Sequence, residues 1–208
     1  MSDAADDGYT SADPADELLD VVDEHDRVTG QVRRGEVYAR GLRHRCVFVR
    51  VRDDAGRIFV HRRTATKLVF PACYDPFVGG VVGAGESYDD AALREAEEEL
   101  GVSGLPDPTF LFTFLYDDGA GRSWWSAVYE VRCELPVRPQ AEEVAWHAFL
   151  PESEIERRLD ADDGDDADDG DDGDDGDDTW EWVPDGRAAY ALLRDRPAGR
   201  GRPYGEHI

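Results

Sequence analysis

Glu95, Glu98 and Glu99 stand three and four residues apart, so a helix would set all three on adjoining rows of one face. Like charges at that spacing destabilise a helix by roughly a few tenths of a kcal/mol per pair. A hard divalent cation removes the repulsion, because Mg²⁺ takes oxygen ligands and keeps waters and substrate phosphates in its shell. A plain acidic, solvated helix face is the competing reading in a chain this acidic. What surrounds the glutamates weighs against it. Residues 80 to 102 read Gly-Val-Val-Gly-Ala-Gly-Glu-Ser-Tyr-Asp-Asp-Ala-Ala-Leu-Arg-Glu-Ala-Glu-Glu-Glu-Leu-Gly-Val, a glycine-rich turn running into the helix. Such a turn lets backbone and phosphate come close. The combination suits metal-dependent cleavage of a phosphoanhydride.

The elements that must position these residues follow from pattern. Ser87 with Asp90 three residues on is a capping-box start, Gly101 is a C-terminal cap, and Ala92, Leu93, Ala96 and Leu100 form an apolar stripe. Upstream, residues 17–22 and 28–32 read as short strands, and Arg34 to Arg40 as a helical turn ended by Gly41. Residues 44–52 and 57–63 alternate around an Asp-Asp-Ala-Gly turn and predict a hairpin. Pro71 and Pro76 argue for a loop over 70–77. Downstream, 109–116 and 124–134 predict two long strands and 146–150 a short one. Pro151 opens a helix to 159, and Pro184 opens a last one to 196.

The chain of 208 residues carries a formal charge of −25, and its location matters. Residues 160–178 hold thirteen Asp with no base, and residues 1–17 hold five Asp and one Glu. Taking those nineteen away leaves only about six negative charges for everything else. The expected organisation is therefore a disordered acidic tail at 1–16, one catalytic domain at 17–159, a disordered Asp/Gly insertion at 160–178, and a helix and tail at 179–208 that pack on the domain. Lys67 is the sole lysine. Much Asp with almost no Lys fits a salt-rich, halophilic cytoplasm, where screening removes self-repulsion. This charge speaks against nucleic-acid polymers and anionic membranes as partners. The acidic N-terminus is unlike a signal peptide, and Cys46, Cys73 and Cys133 lack any Cys-x-x-Cys pair; a cytoplasmic protein with reduced thiols is expected. No feature of the sequence sets an oligomeric state.

Gly80, Glu86 and the run Arg94-Glu95-Ala96-Glu97-Glu98-Glu99-Leu100-Gly101-Val102 fill every fixed position of the 23-residue Nudix box, and the chain resembles that hydrolase superfamily. Residues 17–105 are similar to its isopentenyl-diphosphate-isomerase-like branch, through Leu-Leu-Asp-Val-Val-Asp, Gly41 to Arg45, Arg62-Arg63 and Pro-Phe-Val-Gly-Gly; the tail Val183-Pro184-Asp185-Gly186 adds to the likeness. The resemblance implies an α/β/α sandwich, a mixed β-sheet between helices, with the box as loop–helix–loop. It implies that Glu95, Glu98 and Glu99 bind Mg²⁺ or Mn²⁺, that Gly80 offers its carbonyl, that Glu86 binds metal directly or through water, and that Arg94 orients the glutamates. Water would then cut a diphosphate bond in a nucleoside-diphosphate-linked or other small molecule. The general base is left as either a box glutamate or Glu142 or Glu143 outside it. Arg62 and Arg63 are candidate phosphate contacts, and Trp124 or Trp125 could stack a base. Cys73 has no activating base near it in sequence and is not read as a nucleophile.

Two alternatives remain at this level. One is the isomerase reaction itself, but that enzyme's catalytic cysteine would fall at Gly79. Of its metal-binding histidines, one matches His44, while two others fall at Val37 and Val81. Moving a proton on and off carbon needs an acid and a base, and glycine is neither. The other is a non-catalytic nucleotide-sensing module, against which the intact glutamate set argues.

Overall fold

The computed structural model describes residues 13–67, 69–162 and 180–196. The proposed disordered character of residues 1–12 and 163–178 lies outside them. At the edges of those tails the chain is ordered further than expected. Pro14–Asp16 forms a 3-10 turn capped by Asp13, and the helix after Pro151 runs on to Asp162.

Helix α2 (Tyr88–Leu100) is the element whose sequence signals are most complete, and it forms as they require. The Ser87 hydroxyl accepts from the Asp90 amide at 3.1 Å, satisfying one of the free N–H groups of the first turn. The helix stops at Gly101, which takes the left-handed conformation at φ 62°. A side chain there would also overlap the Arg138 carbonyl, so the loop that crosses the helix end needs glycine for a second reason.

Seven strands build a mixed sheet: β3 (Arg45–Arg52), β4 (Ile58–Arg63), β5 (Tyr74–Asp75), β6 (Val78–Val81), β7 (Thr109–Asp117), β8 (Ser123–Arg132) and β9 (Val144–Leu150). Only β3 and β8 run parallel; the other strand pairs are antiparallel. The hairpin β3–β4 pairs only at Arg52 and Ile58, beside its turn. Beyond that point the strands separate. β6 pairs with β3 from Cys46 to Val49, and β5 pairs with β4 at His61 and Arg62. This split brings β5 and β6 into the middle of the molecule. The expected loop over 70–77 is thus interrupted by a two-residue pairing, which Pro71 and Pro76 flank without entering.

One sheet face carries Val47, Val49, Phe59, Val78, Ala127 and Tyr129, and α2 covers it with Ala91, Ala92, Ala96 and Leu100. Burying a side chain such as Leu100 contributes about 1.5–3 kcal/mol. The other face, with Phe48, Ile58, Val60, Phe112 and Val128, packs on α3 (Glu152–Asp162), on α4 (Pro184–Arg194) and on Trp180 and Trp182. A separate hairpin of β1 (Leu18–Val22) and β2 (Val28–Arg33), with α1 (Arg34–Arg40), adds a small cluster of Leu19, Val37 and Val81. The result is the expected layering of helices on both faces of a mixed sheet. No helix among the described residues is long and apolar enough to cross a membrane.

Candidate active site

Alternation along β6 turns Gly80 toward α2, because it sits opposite Val47 on the helix-covered face. A Cβ at Gly80 would stand 2.6 Å from the Glu95 carboxylate, so only glycine lets that carboxylate lie on the strand backbone. One residue earlier, the Gly79 amide donates to Glu99 Oε2 at 3.3 Å. Glu95 and Glu99, one helical turn apart, therefore both face the backbone of residues 79 and 80, and Glu99 is buried.

Arg94 braces the cluster. Its Nε and Nη2 donate to the two Glu86 oxygens at 2.8 and 2.9 Å; its Nη1 donates to Glu95 at 2.7 Å and to Glu98 at 3.3 Å, and Nη2 also reaches the Val81 carbonyl at 3.2 Å. The Gly83 amide completes the hold on Glu86 at 2.8 Å. The acidities of Glu86, Glu95 and Glu99 differ with burial and with the donors each accepts from. Burial pushes the Glu86 carboxyl up, but the Arg94 and Gly83 hydrogen bonds win and hold it below the usual range. At Glu95 burial wins over Arg94, and the carboxyl rises. Glu99, which Arg94 does not touch, is pushed up to about 8 by burial and then by the Glu95 charge.

The donor set can be tested for a divalent cation on these terms. Because Arg94 fills the space between Glu86, Glu95 and Glu98, no three acidic, histidine or cysteine side chains among the described residues converge as a ready-made cage. Yet Glu95 and Glu99 lie largely out of water, their carboxyls raised by burial, directly against the backbone of Gly79 and Gly80. Carboxylate oxygens fit a hard cation, and one that keeps several waters needs no closed protein cage. Glu98 differs from its neighbours. Its side chain is 57% exposed, on the outer face of α2 where Leu93, Arg94 and Val102 line an open groove of about 430 Å³.

The candidates outside the box are dispersed. Arg62 donates to the Ala72 carbonyl, and Arg63 to those of Val69 and Phe70. Both guanidinium groups are thus turned to the β4–β5 loop. Glu143 pairs with Lys67 at 2.9 Å, and Glu142 contributes its carbonyl to Thr64. Trp124 has His44 stacked at 6.0 Å and Tyr116 at 4.8 Å between ring centres, while the Trp125 indole donates to the Asp23 carbonyl. His44 is buried, bonded through Nδ1 to the Leu42 carbonyl, with its pKa lowered by burial. Cys73 is buried, and burial raises its pKa.

Two further acids were missed by sequence reasoning. Asp75 on β5 and Asp185 in the first turn of α4 are both buried, and the Asp185 charge adds to burial in raising the Asp75 carboxyl. Asp185 accepts from the Trp124 indole at 3.2 Å, and a Cβ at Gly186 would stand 2.8 Å from Asp75 Oδ1. Nothing local marks them, since they are 110 positions apart. The available signal was the Val183-Pro184-Asp185-Gly186 tail, whose likeness to the isomerase-like branch gave Asp185 no role.

The isomerase alternative meets a steric answer. A side chain at position 79 would overlap the Val47 carbonyl oxygen, so the strand pairing that holds the site admits only glycine there. Val37 and Val81 pack with Leu19 in an apolar cluster and supply no metal ligands.

With this geometry in place, comparison with known proteins is informative. Residues 42–169 match the family model described as the NUDIX domain. The chain is 69% identical over 188 residues to the Nudix hydrolase SCO1686 of Streptomyces coelicolor, covering 90% of this chain and 93% of that one. It is 38% identical over 182 residues to the Nudix hydrolase YfcD of Escherichia coli K12, covering 88% and 89%. Among solved structures it is similar to DR0079 of Deinococcus radiodurans, with a TM-score of 0.60, 32% identity, and coverage of 70% of this chain and 90% of that one.

Proposed function

The chain belongs to the Nudix family and is a hydrolase acting on acid anhydrides, and we propose that it cleaves the diphosphate linkage of a small molecule, nucleoside-diphosphate-linked or of related kind, by attack of water. The observation that carries this reading is the pair of carboxylates Glu95, largely buried, and Glu99, buried, laid on the backbone of Gly79 and Gly80 and raised by burial. Glu95, Glu98 and Glu99, with the Gly80 carbonyl and Glu86 at the margin, are the residues that would hold Mg²⁺ or Mn²⁺. When bound, the cation supplies charge neutralisation for the diphosphate oxygens.

The chain's own residues do the rest. The glycines at 79 and 80 let the Glu95 carboxylate and the Val47 backbone close on β6, so the donor oxygens sit directly against the strand. Arg94 fixes Glu86, Glu95 and Glu98 relative to β6 through five hydrogen bonds. Glu98 is the open carboxylate, held by one long bond to Arg94, so it can accept a proton from water and return it to solvent. We assign it that role, which leaves Glu142 and Glu143 out of the proton transfer.

A panel of nucleoside triphosphates, nucleotide sugars, dinucleotides, coenzyme A and isoprenoid diphosphates, incubated with Mg²⁺ or Mn²⁺ and read by mass, tests the proposal. Two phosphate-bearing products from at least one compound are expected. Binding without any turnover across the panel would favour the nucleotide-sensing alternative instead.

A further inference from the structure

The family match begins at residue 42, so the β1–β2 hairpin and α1 lie ahead of the matched residues. Yet the hairpin is laid against the turn that opens the box. The Ala84 amide donates to the Leu18 carbonyl at 2.9 Å, Gly83 bridges to Leu19 in antiparallel fashion, and the Gly85 amide donates to Asp20 Oδ2 at 3.0 Å. Three successive residues of the turn are thus held by three successive residues of β1. The next residue in the chain is Glu86, whose carboxylate the Gly83 amide and Arg94 hold.

Asp20 makes its part of this hold with a side chain, and it is not a surface acid. It is buried, and its Oδ1 accepts from Gln31 Nε2 at 2.9 Å, across the hairpin from it. Arg45 Nη1 stands 4.0 Å from Asp20 Oδ2. Gly85 takes the left-handed conformation, at φ 76°. Glycine visits left- and right-handed backbone about as readily, so the shape of this turn has to be imposed by what its amides meet. A carboxylate accepting from the Gly85 amide imposes it more firmly than a neutral acceptor would.

The hairpin also reaches the start of α2. Tyr88, the first residue of that helix, donates its hydroxyl to Asp26 Oδ2 at 3.1 Å, in the turn between β1 and β2. Asp26 is itself left-handed, at φ 60°, and Arg45 holds it through Nε on Oδ1 at 2.6 Å and Nη2 on its carbonyl. Such a conformation persists in a side-chain-bearing residue where its surroundings determine it. Contacts from the hairpin therefore stand on both sides of Glu86, at residues 83–85 and at 88.

Resting on the reading of Glu86 as a residue at the margin of the metal site, we propose that Asp20 is a positioning residue for the metal-binding carboxylates. Through the Gly85 amide it fixes the turn from which Glu86 projects, and this makes the β1–β2 hairpin part of the catalytic unit.

The test compares three variants of the full-length protein. Asp20→Ala removes the acceptor for Gly85, whereas Asp20→Asn keeps one acceptor oxygen. Val37→Ala is the control, because it opens a cavity in the small cluster behind β1 and leaves the turn's partners in place. Binding of Mn²⁺ alone is read from the paramagnetic resonance signal of the free ion, amide exchange over residues 83–87 by mass spectrometry, and folding by melting temperature. Asp20→Ala should weaken Mn²⁺ binding by about tenfold or more and speed exchange over the turn. Asp20→Asn should recover to within about threefold of wild type. Val37→Ala should melt lower and bind Mn²⁺ as wild type does. Unchanged affinity in Asp20→Ala, no recovery in Asp20→Asn, or an equal loss in Val37→Ala would each overturn the proposal, the last by reducing the hairpin to a structural support. Wild-type binding checks the reading of the site separately. If wild type binds no Mn²⁺, the metal reading fails; faster exchange over the turn in Asp20→Ala alone then keeps the hold on the box turn, and unchanged exchange removes that as well.

Discussion

Two groups of carboxylates flank the split between β5 and β6, and they are held in opposite ways. On the box side, Glu86, Glu95 and Glu98 are wired to one guanidinium. On the other side, Asp75 and Asp185 have no arginine or lysine bonded to them among the described residues; Asp75 accepts from the Phe77 amide at 3.0 Å and Asp185 from the Trp124 indole. Burial, then the Asp185 charge, pushes the Asp75 carboxyl up to about 8, and burial raises Asp185 too. A carboxyl with that pKa is neutral at pH 7 and able to donate a hydrogen bond. One residue chemistry thus meets two environments: carboxylates held by a guanidinium, and an Asp75 that burial keeps protonated.

The comparison breaks most visibly if the brace is removed. Arg94→Ala leaves Glu86, Glu95 and Glu98 without their shared donor, and turnover should fall by about 10- to 100-fold, as for other groups that orient metal-binding side chains. Steady-state rates at saturating Mg²⁺ measure it, and an unchanged rate would mean that the glutamates orient themselves. A smaller effect comes from neutralising the unbraced pair. Because the folded pKa of Asp75 lies above its unfolded value, its contribution is fully present below about pH 4 and is lost as pH rises toward 8. Asp75→Asn keeps the acceptor for Phe77 and cannot ionise. Its melting temperature should match wild type near pH 4 and exceed it at pH 8, at about 1.4 kcal/mol per unit of displacement. A constant difference across that range would show that Asp75 is charged throughout. The smallest effect belongs to the acid outside both groups. Deleting residues 161–177 should leave turnover in molar KCl nearly unchanged, and the intact protein's melting temperature should climb with KCl if its charge is salt-adapted. A flat melting temperature would remove the salt-adapted reading.

How much of this was legible in the sequence follows the same division. The braced cluster lies within 23 consecutive residues, where helical periodicity and caps alone place Glu95, Glu98 and Glu99, and the comparisons bear out the family. The α/β/α layering was legible as well, because α2, β3, β4, β7 and β8 each carry a local period and local turns. The unbraced pair was not. Asp75 reaches Asp185 only because β3 and β4 part and α4 returns over the gap, and no local pattern encodes where two hairpin strands separate. The pairing of Lys67 with Glu143 depends on β9 lying against β4, a long-range register that turn chemistry does not announce. The two-residue β5 escaped for a plainer reason: Pro71 and Pro76 bracket it closely enough to resemble a loop.

The most direct test of the central claim is the rate of diphosphate hydrolysis against Mg²⁺ concentration for wild type, Glu98→Gln and Glu99→Gln, each checked for folding by circular dichroism. The account predicts that wild-type turnover rises with Mg²⁺ and vanishes in chelator, and that both variants stay folded with rates lower by about 10²–10³-fold or more. Wild-type turnover indifferent to chelator, or both variants working at the wild-type rate, would contradict it.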